Sequence, residues 1–147
     1  MFDERNAAEY GLALSATLVG ATPAKGKWID MRGFRACTFV VSTGTVTDAG
    51  TASGFRFELQ ESDAITDLSA TAVAPVDLVG TEAALTVTSD ASDDILVGSI
   101  GYVGQKRYVR IVCTGTALSS AAVTVQATKR RGAVQGTATI DAGITAT

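Results

Sequence analysis

Lys106-Arg107-Tyr108-Val109-Arg110-Ile111-Val112-Cys113 and Phe55-Arg56-Phe57-Glu58-Leu59-Gln60 are the two stretches that decide the fold. In the second, Phe55, Phe57 and Leu59 alternate with Arg56, Glu58 and Gln60, the period of a half-buried strand with one apolar and one polar face. In the first, the same period turns Val109, Ile111 and Cys113 inward and places Tyr108 and Arg110 on the opposite side. Arg35 to Ser42 (RACTFVVS) is a third β-prone run, apolar enough to be buried on both faces. Ala121, Val123, Val125 and Ala127, set against Thr124, Gln126 and Thr128, form a fourth.

Working outward, Leu12, Leu14, Ala16 and Leu18 alternate as a strand or an extended arm. Ser42 to Gly54 is a Thr/Gly/Ser/Asp loop joining two strands. Ala72 to Val79 and Ala83 to Thr88 are weaker strand candidates. A polar turn at Asp90 to Asp94 leads into Ile95-Leu96-Val97, and the glycines of Gly98 to Gly104 read as a flexible strand end. The pattern predicts an all-β, antiparallel two-sheet β-sandwich, jelly-roll-like, of about seven to eight short strands. Its expected organisation is an N-terminal arm over 1–16, the sandwich over 17–131, and a flexible low-complexity C-terminal tail over 132–147.

Composition narrows the chemistry. The 147 residues suit one domain. Ala, Gly, Ser and Thr make up nearly half of them, so the core must rest on Val, Leu, Ile and a few aromatics. Histidine is absent, which excludes His-based triads, His proton shuttles and His-containing metal sites. Cys37 and Cys113 lie in apolar runs without a CxxC spacing and read as buried free thiols, although neighbouring strands could bring them together. Met1 to Arg5 lacks the basic start and apolar core of a signal peptide, and no stretch matches a membrane helix. Synthesis in a cytoplasm, with no membrane partner, is the expectation.

Candidate chemistry fails on spacing. Asp90, Asp93 and Asp94 lack the calcium-loop register and read as a solvated turn. Glu58, Glu61 and Asp63 have no apolar pocket nearby to split two carboxylate pKa values. No GxSxG or SxxK pair is present, and Gly98 to Gly104 match no phosphate-binding loop. We therefore expect no enzymatic activity, no cofactor and no metal. Trp28, the only tryptophan, reads as a core or sheet-end plug.

The net charge of −3 is too mild for nucleic acid as the main partner, but it is unevenly spread. Residues 1–100 carry six basic and 14 acidic side chains; residues 101–147 carry six basic and one acidic. The basic six, Lys106, Arg107, Arg110, Lys129, Arg130 and Arg131, are the candidate partner-binding residues, suited to an acidic protein surface or to protecting a strand edge.

Three segments carry a resemblance: Trp28-Ile29-Asp30-Met31-Arg32-Gly33-Phe34 entering a strand, Phe55 to Asp63 ending in a turn, and Gly101 to Ile111 followed by a Thr/Gly turn and one more strand. Over roughly residues 26–128 the chain resembles small β-sandwich proteins of tailed bacteriophage virions. The resemblance implies a structural virion component, assembled in the host cytoplasm, that decorates or cements the capsid. Its partners would be the major capsid protein and copies of itself, as a homo-oligomer on the particle. Comparable sandwiches serve as neck or tail connectors and as host-glycan-binding projections, and these are the alternatives. The motifs carry no catalytic residues to transfer.

Overall fold

The computed structural model describes residues 8–47, 54–89, 91–116 and 120–131. Two antiparallel sheets pack face to face. The first runs β1 (Ala8–Val19), β10 (Ser120–Arg130), β4 (Ala36–Thr47), β8 (Leu96–Tyr102), β7 (Leu78–Val79) in spatial order. The second runs β2 (Ala24–Lys25), β9 (Tyr108–Thr114), β5 (Arg56–Ser62), β6 (Thr71–Ala72), with β3 (Ile29–Asp30) also paired to β9. The β-sandwich read from the alternating segments is therefore present. Four of the ten strands have only two residues, which is why a count based on hydrophobic runs stops at seven or eight.

The core is the sum of the inward faces. Phe39, Val41, Ile100, Val123 and Val125 of the first sheet meet Phe57, Leu59, Val109, Ile111 and Cys113 of the second, all of them buried. Tyr102 is fully buried on β8, yet its hydroxyl crosses to the other sheet and donates to Glu61 Oε2 at 2.7 Å. The same hydroxyl accepts the Lys106 backbone N–H at 3.1 Å, so a buried polar tip is satisfied twice.

Several expectations need correction. Residues 8–16, assigned to an N-terminal arm, belong to β1, which pairs with β10 from Ala8↔Arg130 to Val19↔Ser120. Residues 1–7 and the tail 132–147 lie outside the described residues. Within β1 the register shifts between Leu12 and Leu14, and this bulge buries Ala13 and Leu14 together while leaving Leu12 46% exposed. One extra residue inverts a period of two, so Leu12 does not share the inward face of Leu14 and Leu18. Ser42 to Thr47, read as loop, continues β4: Thr43 is buried, and its Oγ1 donates to the Ser92 carbonyl at 2.6 Å. Gly98 to Tyr102 is strand paired to β4, next to a register shift before Gly98, and at Gly101 a Cβ would lie 3.0 Å from that of Val79, so glycine lets β7 close onto β8.

Cys37 and Cys113 are free, buried, and on opposite sheets. Burial pushes both thiols up to about 12 from an ordinary 9.0. The protonated form is favoured in the fold, so this stabilisation is complete below about pH 9 and lost progressively above it. By pH 10 the loss should be on the order of 1 kcal/mol per thiol. Urea unfolding under reducing conditions at pH 8, 9 and 10 should show that decline, with a shallower pH dependence in Cys113→Ala. A flat profile for the parent protein would refute the burial argument.

Candidate functional site

The six basic candidates do not form one cationic patch. Four of them, Arg107, Arg110, Lys129 and Arg131, are gathered instead around the short Trp28–Phe34 segment that carries β3. Arg107 spans Asp30 with both ends of its fork, Nη2 to Oδ2 at 3.0 Å and Nε to Oδ1 at 3.3 Å. That pairing, with the Arg32 backbone N–H, holds the Asp30 carboxyl below the usual carboxylate range. Lys129 Nζ sits 2.9 Å from Glu9 Oε1, donates to the Asp30 carbonyl at 3.1 Å and lies 4.3 Å over the Phe34 ring. The Arg131 guanidinium lies 5.5 Å over the same ring. Arg130 is half-buried opposite Ala8 and Ala36. Lys106 turns elsewhere, to Asp63 Oδ2 at 2.6 Å, and this pairing lowers the Asp63 pKa.

Arg110 departs most from expectation. Its place on the polar face of β9 predicts a solvated cation, yet its side chain is only 5% exposed. Trp28 covers the guanidinium at 4.3 Å, Gln60 Oε1 accepts from Nε at 3.1 Å and Nη2 at 2.8 Å, and Asp67 Oδ1 accepts from Nη1 at 2.7 Å. Lys25 reaches the other Asp67 oxygen at 2.7 Å. Trp28 is thus half-buried and outside the buried core, immediately before β3, where it roofs a buried cation.

The acidic candidates are likewise engaged in structure. Glu58 accepts from Gln60, Glu61 from Tyr102, and Asp63 from Lys106. Asp93 Oδ1 accepts the Val46 N–H at 2.5 Å, and Asp94 takes a left-handed φ of 50° while its N–H bonds the Gly44 carbonyl. Those contacts make Asp93 and Asp94 turn residues that hold the end of β4; Asp90 lies outside the described residues. Among the described residues no group of three or more His, Cys, Asp or Glu is placed to hold a metal ion, and no helix is long and apolar enough to cross a membrane.

Among the described residues, no strand covers the two edges of the first sheet. β1 bounds one edge, a strand of 12 residues with Tyr10, Leu12 and Val19 exposed. β7 bounds the other, with Val79 exposed and Val76 exposed just before it. Reading the basic residues did not find these edges; the signal in the sequence was the Tyr10–Leu12 pair in a strand otherwise poor in charge. A second opening is a cleft of about 220 Å³ between β1 and β3, where Tyr10 and Trp28, far apart in sequence, line one cavity; Tyr102 is buried elsewhere. Compared with family models, curated proteins and solved structures, the chain matches none.

Proposed function

We propose that this chain is a non-enzymatic structural protein of a tailed-phage virion, binding the outside of the assembled head in many copies as a decoration or cement protein. The observation that carries the reading is the pair of edges, on opposite sides of one sheet, that no strand among the described residues covers. Each edge strand has a partner strand on one side only, and apart from the Ala13 carbonyl, which Lys27 takes, its other side offers backbone groups beside exposed apolar side chains, the elements of strand addition. Edges on opposite sides can touch two neighbouring subunits at once. Binding only the assembled shell then stabilises it by mass action, and the second contact forms at high effective concentration. Four of the basic candidates, Lys106, Arg107, Arg110 and Lys129, are paired with Asp63, Asp30, Asp67 and Glu9, and in this reading those pairs brace the domain.

The test is binding of purified protein to heads that lack it. Leu12→Lys and Val79→Lys place a charge on each edge in turn and, at exposed sites, should leave stability within about 0.5 kcal/mol. Each alone should weaken binding on the order of 100-fold through loss of bivalence, and together they should abolish it. Undiminished occupancy by the double variant would defeat the reading. A single ring of copies at a vertex or tail, seen by particle imaging, would replace the shell protein with a connector.

A further inference from the structure

We propose that the cleft between β1 and β3 binds a single neutral pyranose ring. The inference is independent of head binding, since it concerns the isolated domain. At about 220 Å³ the cleft falls below the roughly 300 Å³ at which drug-sized pockets begin, and it suits one six-membered sugar ring. The space arises from the register: Gly11 faces Ala127, and a Cβ added at Gly11 would meet nothing within 4 Å. One step along the same face, Glu9 faces Lys129.

The polar groups supply complementary partners for adjacent hydroxyls. Lys129 Nζ has three N–H donors, of which Glu9 Oε1 and the Asp30 carbonyl take two. The third donor has only the Phe34 ring face at 4.3 Å, which a sugar hydroxyl can replace, beside a Glu9 carboxylate that is 61% exposed and keeps acceptor capacity. A vicinal diol can accept from the first and donate to the second. Trp28 contributes an indole wall, and Arg110 against that ring fixes its position in advance. With Glu9 and Asp30 both lining the cleft against one ammonium, a neutral sugar fits better than an anionic one.

Because Trp28 is the only tryptophan, its fluorescence reports the cleft directly. A panel of methyl pyranosides of neutral hexoses and N-acetylhexosamines, titrated into the full-length protein, should yield a saturable emission change. The expected dissociation constant is on the order of 1 mM for at least one member, the range open to a ligand of a dozen heavy atoms. Polysaccharides of the same sugar form a second arm: comparable affinity per ring marks recognition within a chain, and loss marks recognition of a free or terminal ring. Gly11→Leu should fill the gap and cost at least tenfold in affinity with an undiminished unfolding midpoint, and Glu9→Gln should cost a similar factor. No saturable response to any pyranoside, or a Gly11→Leu variant that binds sugar as before, overturns the proposal. So does a Gly11→Leu variant whose only change is in self-association, which would make the cleft a seat for another chain.

Discussion

Replacing Gly26 with alanine should lower the free energy of unfolding by about 3 kcal/mol, a large share of the stability of a domain this size. Gly26 lies between β2 and β3, where the chain passes between the two sheets. Its N–H bonds the Ile111 carbonyl at 2.8 Å, and the next N–H, that of Lys27, bonds the Ala13 carbonyl at 2.8 Å. A Cβ at Gly26 would sit 2.7 Å from the first carbonyl oxygen and 2.9 Å from the second. Both obstacles are backbone, so relief requires moving one sheet and loosening a hydrogen bond to it. Gly11→Ala is the control, because its added Cβ meets open space. Urea midpoints measured side by side should separate the two variants widely, and equal midpoints would show that the crossing is not close-packed.

Arg110→Ala should cost a similar amount, about 2–4 kcal/mol, for a different reason. Its charge pair with Asp67 contributes little, because Asp67 is 57% exposed and retains Lys25. The larger loss is in the fork itself: Gln60 Oε1 forfeits two N–H donors, and Trp28 forfeits the surface it lies on. Arg110→Lys keeps the charge but not the planar fork, and should recover less than half of the lost stability. Both variants should shift Trp28 emission to the red as the indole gains water. Full rescue by lysine would show that charge alone matters there.

These two residues also mark what one dimension can convey. The inward faces of β5, β9 and β10 follow directly from alternation, because a period of two survives any change of neighbours. The bulge at Ala13 is a local event without a residue type of its own, and it reversed the side on which Leu12 was expected. Thr43 to Thr47 carries loop composition, yet long-range partners such as the Ser92 carbonyl and Asp93 satisfy its polar groups and keep it in the sheet. The basic candidates were identifiable as residues but not as a site. Whether Arg110 is solvated or roofed depends on Trp28, which lies 82 positions earlier and meets it only because β3 pairs with β9. The shared cleft of Tyr10 and Trp28 had no sequence signal, since it arises from a missing side chain at Gly11 opposite a small one at Ala127.

The bulge in β1 has a further effect on how the protein can be crowded. By aiming the Ala13 carbonyl at Lys27, it cuts a long outer ribbon into two short landing strips of about five residues each. A visiting strand can zip along one strip but not run through both, so each docking event stays brief and self-limiting. Molecules held shoulder to shoulder at high density can therefore let go and realign, where an unbroken margin of the same length would template fibres.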